Sequence, residues 1–404
     1  MQLKEDLEVH YWQFPEELFI LLNDEFHEDF CNKIQIKLNS KLKNCFHKIL
    51  NCKKYHAQRL FNKEIRFTIR EIGILRKFIE IPKEELENNI ETIGNHEDGT
   101  IIKNPKLPFS MKNIFYVASH LFFDGSFRFK KGGYFYTFED SLTKYHKQRL
   151  SDFGDVPINL IEKENQLYFS YTIAFITAKI LDIKNFKSTT SFLSEKMKSL
   201  AKKYKVLSDE IIKALITDEG SVEDKIKIEL NNKRLIEDIH EVLSKYYKLR
   251  PISSRTRHKS LEKNKSQYKE VSTSWKLKID ADSIKELYNS IQPLPIEYKQ
   301  EAFKSLYERK QRIWYQRPTG ETKKQIVKSL LTKPKSVLEL AKELNVRNGT
   351  IISHLKGHPT YSESLIQLGI ANKISNKELR RGGYTNVDIF GIVDRKKAQN
   401  LLKV

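Results

Sequence analysis

Two segments of the chain, about 95 residues apart, share an unusual order of residue types. Val117–Phe127 reads VASHLFFDGSF, and Ile212–Val222 reads IKALITDEGSV. Each is an apolar helix that ends in an acid, and each continues through Gly-Ser into an apolar residue typical of a strand start. The acids are Asp124 and Glu219. Because an internal repeat indicates a repeated structural unit, this pattern constrains the fold more than any other feature.

The sequence after each segment continues in the same way, with a hairpin, a helix, a second hairpin and a further helix. Gly132-Gly133 separates two candidate strands in the first copy, which is a strong hairpin signal. In the second copy, the polar stretch LEKNKSQYKE (261–270) is predicted to be a mobile loop between the last two strands. Repeats are therefore predicted at about 109–200 and 205–306, within a core over 104–310.

The acids at the ends of the two motif helices indicate a metal site. A carboxylate is unfavourable at a helix C-terminus, because the negative end of the helix dipole already lies there. Two such acids at matching places predict a compensating divalent cation. The small residues Ala118, Ser119 and Ala214 would let the two helices pack closely and bring the acids together. Carboxylate oxygens favour Mg²⁺, or another hard divalent cation, over zinc.

These motifs resemble those of the LAGLIDADG homing endonucleases in their double-motif, single-chain form, over about residues 109–306. The resemblance implies a pseudo-two-fold pair of αββαββα units, whose antiparallel sheets form a saddle over the DNA major groove. It also implies that Asp124 and Glu219, each followed by a glycine (Gly125 and Gly220), bind the divalent ions that cut both strands.

The same resemblance places a lysine just after the last helix of each unit. Lys299 fits this position in the second repeat, with a solvated surface lysine as the other interpretation, and Lys184 or Lys187 fits the first repeat. The motifs depart from the family pattern at five positions that are usually aliphatic, small or acidic: His120, Phe122, Phe123, Lys213 and Thr217.

The predicted strands carry basic residues along one face. Basic and apolar residues alternate along these strands, so the basic side chains share one side of each. Between residues 245 and 278 there are eleven Lys and Arg residues and two acids. Such a face suits phosphate contact and guanine recognition, although solubilising lysines are the alternative. The first repeat is less basic, which predicts an asymmetric DNA site. The candidate DNA-binding residues of the strands are Arg128, Lys130, Lys225, Lys227, Arg255, Arg257, Lys276 and Lys278.

The last part of the chain, 320–404, is predicted to be a winged-helix-like DNA-binding module. Three short helices follow one another closely, Ser336 is a suitable N-cap for the second, and two candidate strands over 369–375 and 384–394 resemble a wing. A three-helix packing module is the alternative. The start of the third helix, where base edges are usually contacted, contains Arg347, Asn348, Thr350, Ser353 and His354.

Residues 1–103 are predicted to form a helical domain that ends at the proline-containing linker 103–109. Its apolar spacing fits a helix-turn-helix as well as a packing domain, so its role stays open. The spacing of Cys52 and His56 could hold zinc, but Cys31, Cys45 and Cys52 form no paired C-x2-C motif and suit buried packing better.

Charge and missing motifs complete the functional prediction. The chain has a formal net charge of +20, which favours a polyanionic partner. It lacks a P-loop, a signal peptide and an apolar stretch of membrane-spanning length, so we expect a cytoplasmic monomer with an internal pseudo-dimer. The expected function is metal-dependent double-strand cleavage at a long asymmetric site in double-stranded DNA. The alternative is a non-cleaving transcription regulator, or an RNA-splicing maturase with intron RNA as a partner.

Overall fold

The computed structural model describes residues 6–95, 101–128, 132–187, 189–263, 266–311, 320–357, 363–380 and 384–403. The chain divides into two compact units, Met1–Gln311 and Arg312–Val404. Each unit has its own cluster of buried apolar side chains. Both units combine helices with antiparallel strands, so the predicted α+β class is confirmed.

The first hundred residues contain a small sheet as well as helices. The elements are β1 (Glu8–Val9), β2 (Phe19–Leu22), α1 (Asp24–Lys37), α2 (His47–Leu50), α3 (Lys54–Phe61), β3 (Phe67–Thr68), α4 (Ile69–Ile79), α5 (Lys83–Glu87), β4 (Ile90–Gly94), β5 (Ile102–Lys103) and β6 (Phe109–Ser110). The strand order of the sheet is β3-β2-β4-β5, and β1 pairs separately with β6. These strands correct the purely helical prediction for 1–103.

The predicted boundary at residue 103 does not separate compact units. The ring of Phe109 stacks on Phe14, with centroids 5.3 Å apart, and meets Phe153 edge-on at 5.0 Å. Lys103 also exchanges backbone hydrogen bonds with Asp155. Because aromatic side chains bury large apolar areas, these contacts join the first hundred residues to the repeat core.

The two repeats have the same order of elements. The first contains α6 (Met111–Phe123), β7 (Gly125–Arg128), β8 (Gly132–Tyr136), α7 (Asp140–Ser151), β9 (Ile158–Ile161), β10 (Gln166–Phe169) and α8 (Tyr171–Ile180). Helix α9 (Glu195–Lys203) precedes the second, which contains α10 (Lys205–Asp218), β11 (Gly220–Val222), β12 (Ile226–Leu230), α11 (Lys233–Leu243), β13 (Ser253–Lys263), β14 (Ser266–Lys278), α12 (Ile284–Ile291) and α13 (Glu297–Gln311). Both four-stranded sheets place their strands in the order first-second-fourth-third.

The motif helices α6 and α10 pack against each other in the core. From Ile114 to Phe123 every residue of α6 is buried, and so is the run Ala214–Thr217 of α10. A helix that is apolar on all sides is stable only when it is surrounded by other elements. The repeat therefore places the two acid-ending helices side by side in the centre of the first unit.

The segment predicted to be a loop at 261–270 belongs instead to a long hairpin. Strands β13 and β14 pair continuously from Ser253 opposite Lys276 to Lys263 opposite Ser266. Only the end of β14 nearest Lys278 also pairs with β12, so the outer part of the ribbon extends beyond the four-stranded sheet. Backbone pairing across the hairpin outweighs the low strand propensity of its Lys and Glu residues.

The second unit has the element order of a winged helix. It contains α14 (Glu321–Thr332), β15 (Lys335–Ser336), α15 (Val337–Glu343), α16 (Asn348–Lys356), β16 (Ala371–Arg380), β17 (Tyr384–Ile392) and α17 (Arg395–Lys403). The sheet order is β15-β17-β16, and the Ser336 side chain accepts a hydrogen bond from the Glu339 backbone as the predicted N-cap of α15. In the described parts of both units, no helix is long and apolar enough to cross a membrane.

Candidate functional site

Asp124 and Glu219 occupy equivalent positions in the two repeats. Each is the residue at which its motif helix ends, directly before the first strand of its sheet. Their backbones have nearly the same conformation, with φ −113° and ψ 18° at Asp124 and φ −111° and ψ −8° at Glu219. The matching geometry follows from the matching sequence, because both helices end in an acid followed by glycine.

The glycines after the acids are required by close backbone packing. A Cβ atom on Gly125 would lie 2.7 Å from the carbonyl oxygen of His120 and 2.8 Å from the Cα of Leu121. A Cβ atom on Gly220 would lie 2.6 Å from the Cα of Ile216 and 2.7 Å from its carbonyl oxygen. Each first strand therefore turns back against the last turn of its own motif helix, which holds the acid at the junction. The resemblance assigned both glycines to the metal site, and their structural role is this close approach.

Burial and neighbouring carboxylates raise the pKa of both acids. Burial raises the pKa of Asp124 to about 6, with a further increase from the charge of Asp218. Burial also raises the pKa of Glu219 to about 7, and the charges of Asp124 and Asp218 raise it further. A carboxylate raises the pKa of another only when the two are near each other in a region of low polarity. Glu219 is therefore within electrostatic reach of Asp124, and their sharing of one cation stays a prediction from the repeat.

Lys299 lies beside this pair of acids. It belongs to α13, is buried, and its Nζ donates hydrogen bonds to the carbonyl oxygens of Ile216 (3.1 Å) and Thr217 (2.6 Å). Burial lowers the pKa of Lys299, whereas the charges of Asp218, Asp124 and Glu219 raise it. The ammonium group thus caps the C-terminus of α10, and the interpretation as a solvated surface lysine is wrong. Lys184 and Lys187, the first-repeat alternatives, are both exposed.

A buried histidine–aspartate pair was missed as a functional feature by the sequence reasoning. His120 Nδ1 lies 2.8 Å from a carboxylate oxygen of Asp218, and both side chains are almost completely buried. From the sequence, His120 is only a departure from the family pattern, and Asp218 is not among the predicted site residues. The available signal was a second acid directly before Glu219, in a helix that is otherwise apolar at this end.

The donor set at this site consists of carboxylate oxygens. If a cation binds here, Asp124 and Glu219 would supply the hard oxygen ligands that Mg²⁺ prefers. Within the residues that the structure describes, no group of three or more His, Cys, Asp and Glu side chains is arranged to hold a metal ion. The fit to a cation therefore rests on two carboxylates whose mutual repulsion a cation would relieve.

The cysteines near the N-terminus do not form a zinc site in the described residues. Burial raises the pKa of Cys31 to about 12, which disfavours the thiolate that zinc requires. His56 Nε2 lies 2.7 Å from an oxygen of Glu71, and His47 Nδ1 lies 2.8 Å from the carbonyl oxygen of Asn44. These rings have other partners, so packing is the better interpretation of the cluster.

The second sheet presents a polar face with several basic residues. Lys227 pairs with Lys278 and Glu229 with Lys276 across β12 and β14, while Ile228 and Leu277 face the opposite, buried side. Two of these lysines are in ion pairs: Lys227 Nζ lies 2.9 Å from Glu223, and Lys276 Nζ lies 3.3 Å from Glu229. The strand register also places Arg255 on this face, where it is exposed, and Lys225 is exposed at the start of β12. Arg257 follows on β13, but its side chain is outside the described part of the structure.

Among the side chains that the structure describes, the equivalent face of the first sheet is lined by aromatic and uncharged residues. Ser126, Tyr134, Tyr168 and Asn159 are cross-strand neighbours in one row of the four strands. Tyr134 contacts the rings of Tyr136 and Tyr168, with centroids 5.4 Å and 5.2 Å away. Of the basic residues predicted here, the side chain of Arg128 and all of Lys130 lie outside the described residues. The two sheets thus differ in the chemistry of this face.

Helix α16 carries the predicted contact residues of the second unit. Arg347 is its N-cap position, and both Arg347 and Asn348 are exposed, whereas Thr350, Ser353 and His354 are half-buried. The Ser353 hydroxyl donates a hydrogen bond to the carbonyl oxygen of Gly349 at 2.8 Å. Burial and the nearby charge of Lys323 lower the pKa of His354. Of the five predicted contact residues, Arg347 and Asn348 are therefore the exposed ones.

Comparison with known proteins supports a DNA-binding class for the second unit. Residues 320–357 match the family model described as bacterial regulatory protein, arsR family, which is a helix-turn-helix model. The match covers α14, α15 and α16, the three helices predicted from the sequence. A search of curated proteins finds no match to the chain. The C-terminal unit thus resembles a helix-turn-helix module with a wing.

Proposed function

We propose that this protein binds double-stranded DNA through both of its units. The observation that carries the proposal is the winged-helix order of the second unit, together with its similarity to a regulatory helix-turn-helix family. In such modules the third helix enters the major groove and its first residues contact base edges. Arg347 and Asn348 are the exposed residues at that position, and both side chains can donate hydrogen bonds to bases.

The first unit supports the same proposal. Its two four-stranded sheets have the same strand order and follow two helices that pack together, as expected of the pseudo-symmetric saddle that the LAGLIDADG resemblance implies. The major groove admits β-ribbons as well as helices. The face with Arg255, Lys227 and Lys278 would provide phosphate contacts, whereas the described side chains of the equivalent face of the first sheet are aromatic and uncharged. We therefore expect a long, asymmetric site with unequal halves.

A more specific function is proposed for the acids of the first unit, namely metal-dependent cleavage of DNA. The supporting observation is the equivalence of Asp124 and Glu219, which share one backbone conformation, one following glycine and one electrostatic neighbourhood. These two carboxylates would hold Mg²⁺, which when bound lowers the pKa of its water and stabilises charge on the phosphate. Buried Lys299 holds the end of α10 through its hydrogen bonds to Ile216 and Thr217, and its ammonium group would add positive charge beside the acids.

A DNA-binding regulator without cleavage activity is the competing proposal. The similarity to the arsR family favours it, because that family consists of bacterial regulatory proteins. Within the repeat core, His120 departs from the LAGLIDADG motif pattern and pairs with Asp218. A protein that binds DNA without cutting it could also contain this pair. A splicing maturase would require binding to intron RNA, and that partner and the monomeric state remain predictions from the sequence.

The test begins with the full-length protein and a pool of random duplexes. Selection for binding at about 0.15 M salt, with EDTA, should enrich one asymmetric sequence. Arg347→Ala should then weaken binding to that sequence by about 5- to 150-fold, which corresponds to 1–3 kcal/mol. Lys396→Ala, which removes one exposed positive charge from α17, is the matched control and should have a much smaller effect. Enrichment of no sequence at all would refute the proposed DNA specificity.

Cleavage is tested on the selected duplex with Mg²⁺ added. If wild type cuts both strands, Asp124→Asn and Glu219→Gln should each abolish cutting while binding in EDTA is retained. Cutting by both variants at the wild-type rate would show that these acids are not the metal ligands. Tight binding by wild type with no cutting in Mg²⁺ or Mn²⁺ would favour the regulator.

A further inference from the structure

The interface between α6 and α10 contains one buried pair of opposite polarity, His120 and Asp218. The nitrogen–oxygen distance is 2.8 Å, and the exposed fractions of the two side chains are 2% and 3%. His120 lies one helical turn before Asp124, and Asp218 directly precedes Glu219. The pair therefore links the two motif helices next to both acids of the proposed metal site.

Among the described residues, Asp218 is the hydrogen-bond partner of His120, and the other neighbours of the His120 ring are aromatic rings. Its ring meets those of His146 and Tyr116 edge-on, with centroids 4.8 Å and 4.9 Å away, and Phe135 lies at 5.7 Å. Tyr116 and His146 hydrogen-bond to each other at 2.5 Å instead. Among the described residues, the hydrogen bond from His120 holds the Asp218 carboxylate at the helix interface, and the charge of Lys299 adds a further attraction.

A buried polar pair at this place is not explained by stability. Replacing such a pair with apolar residues of similar size is often neutral or stabilising, because both groups lose their hydration on burial. The pair instead fixes the orientation of the Asp218 carboxylate, because a hydrogen bond requires a narrow range of distance and angle. Without this bond, Asp218 would be a third carboxylate beside Asp124 and Glu219, free to turn away from the interface.

We propose that His120 is a positioning residue that holds Asp218 in the helix interface and thereby keeps Asp124 and Glu219 aligned for one shared cation. This inference rests on the proposed metal site and adds the residues that orient it. Partners of metal ligands commonly contribute ten- to a hundred-fold in affinity without contacting the metal. Neither His120 nor Asp218 binds the cation in this arrangement.

The test measures Mn²⁺ binding to the full-length protein by electron paramagnetic resonance, without DNA. His120→Leu should weaken Mn²⁺ binding by about tenfold or more. His120→Asn should restore most of the affinity, because the asparagine Nδ2 occupies the place of the histidine Nδ1 and can donate to Asp218. Tyr116→Phe is the matched control, since it removes a different buried hydrogen bond one turn away on the same helix.

A double variant tests whether the loss of Mn²⁺ binding in His120→Leu comes only from misfolding. The double variant His120→Leu/Asp218→Leu removes both members of the pair, so no charge is left buried and unpaired, and its Mn²⁺ binding should be as weak as that of His120→Leu. The positioning role alone would be overturned if His120→Leu or the double variant bound Mn²⁺ with wild-type affinity. It would also be overturned if Tyr116→Phe lost as much Mn²⁺ affinity as His120→Leu. Absence of any Mn²⁺ binding by wild type would overturn the proposed metal site and this inference with it.

Discussion

Asp124 makes the stability of the first unit depend on pH in an unusual direction. Its pKa rises from 3.8 to about 6 on folding, so between these values the folded chain holds a proton that the unfolded chain releases. Stability falls with rising pH wherever the folded state binds more protons. A tenfold change in an ionisation constant corresponds to about 1.4 kcal/mol, so ionised Asp124 lowers the free energy of unfolding at pH 8 by about 3 kcal/mol.

Asp124→Asn should therefore leave stability near pH 4 almost unchanged and raise it at pH 8 by up to about 3 kcal/mol. Urea unfolding followed by circular dichroism, in EDTA at pH 4, 6 and 8, measures the difference. Asp152→Asn, an exposed carboxylate after α7, is the control for the loss of one charge and should leave the pH dependence unchanged. Parallel curves for wild type and Asp124→Asn between pH 4 and 8 would refute the reasoning, because they would show that Asp124 is not buried beside other acids.

Three further predictions concern the packing, the winged helix and the second sheet. Gly220→Ala should destabilise the first unit by about 1–3 kcal/mol in urea unfolding, because its Cβ would meet backbone at 2.6 Å, whereas Gly73→Ala, with open space at its Cβ, should be neutral or slightly stabilising. Ser336→Ala should cost the second unit about 1 kcal/mol, measured by thermal unfolding, through loss of the N-cap. Arg255→Ala should relax base preference at one position of the selected duplex, whereas Lys276→Ala should weaken all sequences alike and reduce the salt dependence of binding, both measured by titration.

The parts of the fold that could be predicted from the sequence are those encoded by local pattern. The helix-acid-glycine segments ending at Gly125 and Gly220 were recognisable because each contains its own helix end and strand start within eleven residues. The capping serine Ser336 was recognisable for the same reason, since a cap acts within one turn. Patterns of this kind need no knowledge of distant parts of the chain.

The parts that could not be predicted depend on partners far away in sequence. Strand β2 is four residues long and pairs with β4, about 70 residues later, so its apolar run was indistinguishable from a helix turn. The outer hairpin of β13 and β14 has the composition of a loop and becomes strand through pairing of its own two halves. Composition alone cannot indicate such pairing.

The same distinction between local pattern and distant partners applies to the candidate site. Asp124 and Glu219 could be paired from the sequence because repetition indicates equivalent places, even without the distance between them. His120 and Asp218 are 98 positions apart and occupy different positions of their motifs, so repetition gives no reason to join them. A comparison of the two repeats identifies equivalent residues, so it cannot identify a contact between residues at non-equivalent positions. The His120–Asp218 pair breaks the symmetry between the two motif helices. Substitutions at this pair therefore test how Asp124 and Glu219 are positioned, whereas substitutions at the acids themselves test only whether a metal site exists.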